Sequence, residues 1–222
     1  MHKGVSTTHW SKNSIEEKIS LVKRQDWEKF GGNYGGKESK TLYDTIKAGK
    51  VEVKNKNVLV IGSIQPWVES IFLALGANQT VTLEYNQIIS DHPKVMFNII
   101  KYSHSYLIIN YASFKINEMK CIMQHSLLSM HKTTTYLPWE LSKKFLSGDL
   151  KQKFDVMVSY SSLEHGGLGR FGDAMHPWGD LVTMAKAWCL VKDKGSAVIA
   201  VPTAKQDTIE YNAHRYLHFL KI

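Results

Sequence analysis

The sequence predicts an α/β protein built on a doubly wound, mostly parallel sheet, and three features carry that expectation. Asn57-Val58-Leu59-Val60-Ile61 is an unbroken apolar run, the pattern required of a parallel strand covered on both faces. Strand, turn, helix and strand follow one another from Asn57 to Glu84, and the same order returns from Phe154 to Val201. The chain has 222 residues, 43% hydrophobic and 22% charged, which suits a globular domain with a substantial core and excludes fibrous or wholly disordered chains.

From the N-terminus, Ser14-Ile15-Glu16-Glu17 has the form of a capping box. Ile15, Ile19, Val22, Trp27 and Phe30 then fall on one helical stripe, which Gly31-Gly32 and Gly35-Gly36 stop. A short helix over Thr41–Ala48 is expected to end at Gly49 as a left-handed cap. Residues 1–50 thus read as a helical cover on a main domain over 51–215. After the first strand, Gly62-Ser63-Ile64-Gln65 makes a turn and Pro66 opens a helix, where its missing amide hydrogen costs nothing. Val68, Ile71, Phe72 and Leu75 recur at helical spacing, and Thr80–Glu84 is the second strand. In the later unit Phe154–Ser159 is a strand, and a polar loop spans Ser161–Pro177. Trp178, Leu181, Val182, Ala185 and Trp188 place an apolar stripe on a helix, and Ser196–Val201 is the last strand.

Met96–Lys132 interrupts the domain. It lacks Gly, Pro, Val, Thr, Asp, Arg and Trp, and four lysines against Glu118 give it +3 of the chain's +8. It reads either as an inserted helical lid or as translated AT-rich DNA outside the native coding sequence, and sequencing the transcript separates the two. Residues 216–222 form an atypical tail.

Charge and cysteine content narrow the function classes. The net +8 and pI near 9.3 favour anionic partners in general. The lysines are scattered, however, and Arg24, Arg170 and Arg215 are the only arginines, too few for bidentate base or phosphate recognition. Nucleic acid is therefore not the expected partner. Cys121 and Cys189 make no disulfide framework, and no CxxC pair points to structural zinc. No apolar run approaches the roughly 20 residues of a membrane span, and Met1–Trp10 lacks a secretory apolar stretch, so a cytoplasmic protein is expected.

Two turns at the carboxyl ends of strands are where a doubly wound sheet binds ligands. At the first, amides of Ser63–Trp67 open a helix and favour an anionic group, although the absence of G-x-G-x-x-G disfavours a dinucleotide. Glu84 ends the second strand 22 positions beyond Gly62, where a carboxylate can accept from both ribose hydroxyls. The alternative for Glu84 is an exposed strand-end residue. At the second turn, Tyr160-Ser161-Ser162-Leu163-Glu164-His165-Gly166-Gly167-Leu168-Gly169-Arg170-Phe171-Gly172-Asp173 concentrates polar groups in a glycine-rich loop.

F-D-V-x-V-S-x-S-S-L-E-H, an amphipathic helix and K-D-K-G-S-A-V-I-A-V-P together resemble the fourth and fifth strands of class I S-adenosylmethionine-dependent methyltransferases. In that likeness Val58–Gly62 matches the first cofactor motif and Glu84 the ribose-binding acid. The fuller string S-L-E-H-G-G-L-G-R-F-G-D, with P-W-G-D and N-A-H-R, resembles more closely a nematode-rich domain family of unknown function, over about Val58–Val95 and Thr133–Arg215. The likeness implies a Rossmann-like sheet lacking its last strands and S-adenosylmethionine as cofactor. It places Gly62, Ser63, Glu84, Tyr85, Ser161, Ser162 and Leu163 around that cofactor. The glycine turn departs from the usual G-x-G-x-G.

On this reading methyl transfer goes to a small-molecule or glycan-like acceptor. His165, with an unperturbed pKa of about 6.5, is the candidate base and Glu164 its orienter. Asp173, His176, Asp180, His214 and Arg215 are expected to border the cleft, Arg170 and Arg215 gripping an acidic substrate. The alternatives are a structural loop histidine bonded to backbone at His165, an Asp180 that caps its helix, and surface loop positions for the others. Two rivals stand beside it. One is a catalytically degenerate relative that binds without reacting. The other is a metal-dependent hydrolase or transferase built on His165, Asp173, His176 and His214, although no compact ligand spacing supports a metal.

Overall fold

The structure is a computed structural model, and it describes residues 7–84, 87–99, 147, 153–171 and 173–218. In chain order the described elements are β1 (Thr7–Trp10), α1 (Lys12–Arg24), α2 (Trp27–Phe30), α3 (Gly36–Ala48), β2 (Asn57–Ile61), α4 (Trp67–Ala74), β3 (Gln79–Glu84), β4 (Gln87–Ser90), β5 (Val95–Ile99) and β6 (Phe154–Tyr160). A 3-10 turn (Leu163–His165), α5 (Gly179–Trp188), β7 (Val191–Ala200), β8 (Thr203–Ala204), β9 (Thr208–Glu210) and β10 (His214–His218) follow.

The molecule is a mixed α/β protein on a five-stranded sheet of order β5-β3-β2-β6-β7, every neighbouring pair parallel. From β2 the chain winds outward through β3 to β5, then returns to lay β6 against the other side of β2. The reversal therefore falls between β2 and β6. Alternation along β2 sends its side chains to two cores. Val58 and Val60 pack with Ile15 and Val22 of α1, Leu42 and Ile46 of α3, and Val68, Ile71 and Phe72 of α4. Leu59 and Ile61 pack with Met157, Leu163, Ala187 and Leu190 on the opposite face. At the amino end of the sheet Asp155 accepts from the Asn57 amide at 2.9 Å and from Lys192 Nζ at 2.8 Å, tying β2, β6 and β7 together. Burial pushes the Asp155 carboxyl up, but these partners outweigh it and leave its pKa below the ordinary value.

Several boundaries differ from expectation for tertiary reasons. The first helix starts at Lys12. Ser11, not Ser14, is its cap and accepts from the Ser14 amide, while Asp91 Oδ1 takes the Lys12 amide at 2.6 Å. The helix also stops at Gln25, whose φ of 58° is left-handed. Gly49 keeps φ −72°, and Lys50 takes the left-handed residue at φ 52°. Met96–Ile99, the start of the segment read as an interruption, belong to β5 and pair with β3, whereas 100–132 lie outside the described residues. The stripe on α5 is not core: Trp178, Leu181 and Trp188 are about half exposed, and Ala187 is the helix's buried residue. After β7 the chain forms a separate small sheet of order β8-β10-β9. Among the described residues no helix is long and apolar enough to cross a membrane.

Candidate functional site

The two expected turns meet at one edge of the sheet. Gly62 leaves β2 with φ 72°, and its amide donates to Leu83 O at 2.8 Å, carrying the ladder with β3 one residue further. A Cβ on Gly62 would sit 2.0 Å from Ser162 Oγ and 3.8 Å from Glu84 Oε2. Gly62, Glu84 and Ser162 are therefore neighbours at the carboxyl ends of β2, β3 and β6. Only glycine permits both that φ and that approach. Gly62→Ala is expected to cost about 2–3 kcal/mol, from left-handed strain plus the clash with Ser162, as measured by urea denaturation. A loss below about 1 kcal/mol would show that the two turns are not in contact.

Behind this edge lies a buried polar chain. The Ser63 amide donates to Glu84 Oε2 at 3.1 Å. Ser63 Oγ lies 2.6 Å from Gln65 O and 3.1 Å from Glu69 Oε2. Thr82 Oγ1 donates to Glu69 Oε1 at 2.6 Å. Glu69 is fully buried in the first turn of α4. Desolvation raises its pKa to about 7 and the charge of Glu84 adds to the rise, against the hydrogen bonds from Thr82, its own backbone and Ser63. Sequence reasoning missed Glu69. The available signal was an acid set in Trp67-Val68-Glu69-Ser70-Ile71-Phe72, where apolar residues surround it on the helix.

Rings and an indole flank the same edge. Trp67 packs edge-on to Tyr160 with centroids 4.9 Å apart, and Tyr34, between the Gly31-Gly32 and Gly35-Gly36 pairs, leans on both, 5.4 Å from Tyr160 and 6.2 Å from Trp67. Burial first, then Glu38 and Tyr34, push the Tyr160 phenol above its ordinary pKa. Trp10 Nε1 donates to Ile64 O at 3.2 Å, so β1 pins the turn from the cover side.

In the second turn Ser161 adopts φ 48°, a conformation costly for a residue with a Cβ, and its Oγ donates to Glu164 Oε1 at 2.6 Å. Glu164 Oε1 is also 3.6 Å from His165 Nε2. His165 Nδ1 lies 2.6 Å from Ala213 O, a carbonyl that can only accept, so Nδ1 carries a proton and Nε2 is the nitrogen turned toward Glu164. The His165 ring meets Phe171 at 5.3 Å and His214 at 5.7 Å, and His214 meets Tyr216 at 4.6 Å. Glu164 Oε2 and Ser159 Oγ are buried without a hydrogen-bond partner among the described residues. Leu163 is a core residue of the second cluster.

Other expected site residues serve the loop itself. Asp173 Oδ2 accepts from the Gly167 amide at 2.6 Å and the Gly169 amide at 3.3 Å, and Oδ1 from the Phe171 amide at 3.3 Å. Arg215 is not placed to grip a substrate. Its Nη1 donates to Glu164 O at 3.3 Å and Gly166 O at 2.6 Å. Nη2 donates to His176 O at 3.3 Å and Pro177 O at 2.9 Å, and Nε faces Asp180 Oδ1 at 3.6 Å. Four of the five N–H donors of the guanidinium thus go to backbone carbonyls, and Asp180 supplies a countercharge at Nε. Arg170 is exposed, with its guanidinium 5.7 Å from the Phe171 ring centre. His176 Nδ1 accepts from the Trp178 amide at 3.1 Å. Among the described residues no group of three His, Cys, Asp or Glu is placed to hold a metal ion. Tyr85 lies outside the described residues.

A family model described as "Caenorhabditis protein of unknown function, DUF268" matches residues 88–222. Neither a curated protein nor a solved structure matches the chain.

Proposed function

We propose, for a chain that belongs to the Caenorhabditis protein family of unknown function DUF268, that the β2/β6 edge binds S-adenosylmethionine and that the protein transfers its methyl group to a small-molecule or glycan-like acceptor. The observation that carries this reading is the meeting of Gly62, Glu84 and Ser162 at the strand reversal of a parallel sheet, the place where such sheets take ligands. A Rossmann-like, class I methyltransferase-like architecture is the finer description that fits these strands.

The residues present suit the group. Glu84, fixed through Oε2 by the Ser63 amide, would accept from ribose hydroxyls. Ser162, seated against Gly62, would supply a small polar contact, while the Ser63 and Ser161 hydroxyls hold the two turns in shape through Gln65 O and Glu164. When bound, S-adenosylmethionine supplies an electrophilic methyl group. His165 Nε2, with Nδ1 held on Ala213 O, would take the proton of an acceptor hydroxyl, while Glu164 fixes the ring. The rings of Phe171, His214 and Tyr216 would form an acceptor wall of the kind that sugar and aromatic faces stack on.

Isothermal titration with S-adenosylmethionine tests the reading. Binding is expected in the wild type and is expected to weaken about tenfold in Glu84→Gln, which keeps the shape and removes the charged acceptor. Absence of binding, or equal affinity in the variant, overturns it. A binding-only relative of the same fold is the second reading, favoured by the tight Gly62–Ser162 contact at a turn without repeated glycines. Cofactor binding without methyl transfer to any acceptor would select it.

A further inference from the structure

We propose that Glu69 is a positioning residue of the ligand turn, acting as the neutral acid: its carboxyl donates to Ser63 Oγ and thereby frees the Ser63 hydroxyl proton to close the turn on the Gln65 carbonyl. This deepens the ligand reading above and rests on it for the binding arm of its test alone.

Proton counting leads there. Ser63 Oγ has two acceptor oxygens within reach, Gln65 O at 2.6 Å and Glu69 Oε2 at 3.1 Å, and a hydroxyl has one proton to give. The shorter contact takes it. The remaining Oγ–Oε2 contact is then between two acceptors unless the carboxyl supplies the proton. A neutral Glu69 satisfies every atom in one direction: Thr82 Oγ1 gives to Oε1, Oε2 gives to Ser63 Oγ, and Ser63 gives to Gln65 O. An ionised Glu69 would draw the Ser63 proton to itself and release the Gln65 carbonyl, in the turn whose Ser63 amide orients Glu84.

The surroundings favour the neutral form. Glu69 is fully buried. The parts of α1 and α3 buried in the same core contribute Ile15, Ile19, Val22, Leu42, Ile46 and Ser39, none of them titratable. β2 contributes Val58 and Val60, and β3 presents Thr82 and, at its end, Glu84. Glu84 is the charged group acting on Glu69, and its negative charge opposes a second one. A pKa near 7 puts the change of state within the range of ordinary buffers.

The test uses the full chain. In nitrogen-15 NMR the Ser63 amide of the wild type is expected to shift with a midpoint near pH 7, and in Glu69→Gln, whose amide can give to Ser63 and accept from Thr82, the shift is expected to vanish. A Ser63 amide that does not titrate, or that titrates equally in Glu69→Gln, overturns the proposal. Infrared spectroscopy of the wild type serves independently of the variant's folding: a buried protonated carboxyl band is expected at about pH 6 and not at about pH 8, and its absence at the lower pH is equally fatal. For the binding arm, S-adenosylhomocysteine is the probe because its sulfur carries no charge. Its affinity is expected to fall about tenfold between about pH 6 and about pH 8 in the wild type and to stay level in Glu69→Gln. Equal pH profiles would overturn the positioning role. Failure of the probe to bind at any pH would sink the ligand reading, while the amide titration still decides the state of Glu69.

Discussion

Arg215→Ala is expected to cost about 3–5 kcal/mol of folding stability, the scale of leaving a buried hydrogen-bonded charge network without its centre. Arg215 is 5% exposed, and its guanidinium joins the carbonyls of Glu164 and Gly166 to those of His176 and Pro177, reinforcing the backbone bond from the His176 amide to Gly167 O. Without it the Glu164, Gly166 and Pro177 carbonyls lose this donor, His176 O keeps only the Gly179 amide, and Asp180 loses its countercharge. Arg215→Lys keeps the charge but not the planar fork, since an ammonium has three donors at one point. It is expected to recover less than half of the loss. Urea denaturation of both variants measures this. A loss under about 1 kcal/mol in Arg215→Ala would mean that β10 does not anchor the Glu164–Pro177 loop.

Glu69→Gln is expected to gain stability relative to the wild type as pH rises, by about 3 kcal/mol in total. The folded carboxyl keeps its proton up to about pH 7, whereas the unfolded one releases it near 4.5. Between those values the native state holds more protons than the unfolded state, so wild-type stability falls as pH increases through the window and then levels off. Glutamine has no proton to release. The difference between variant and wild type should therefore widen from pH 4.5 to about 7 and stay constant above it. Denaturation midpoints across that range decide the matter, and a difference that does not change with pH refutes the buried neutral acid.

The inner strands are legible in the sequence because they are buried on both faces, and Ser196–Ala200 of β7 is legible by the same apolar run although it lies half exposed at the sheet edge. Val58–Ile61 and Val156–Val158 carry their burial in composition, because a parallel strand between two helix layers has no polar side. The strands β1, β4, β5, β8, β9 and β10 are not legible in the sequence. β1 and β4 pair across the whole first βαβ unit, and β5 lies in the segment read as an interruption. Even the local β9–β10 hairpin turns at Glu210–His214 without a turn motif or an alternating pattern that marks it. Helix ends followed the same division: Ser11 and Ser14 are equivalent as caps by residue type, and Asp91 on a distant loop selects the first. At the candidate site, Gly62, Glu84 and Ser162 could be placed because strand ends are positions that sequence defines. What Arg215 and Asp173 do could not be told from sequence, because an arginine spent on carbonyls and one open to a substrate look alike until their neighbours are known. Glu69 was hidden for the opposite reason: an acid in a first helical turn ordinarily faces water beside the helix's positive end, and here the turn is buried.

The strand order bears on what unit of this chain can stand alone. The family match begins at residue 88, so it takes in β5, β6 and β7 but leaves out β2 and β3, which lie between β5 and β6. A fragment cut at that boundary would possess both flanks of the sheet and no middle. Its β5 and β6 would keep backbone donors and acceptors whose native neighbours had been removed, and such exposed edges seek pairing with other copies. The folding unit must therefore reach back at least through Asn57, well before the stretch by which its relatives are recognised.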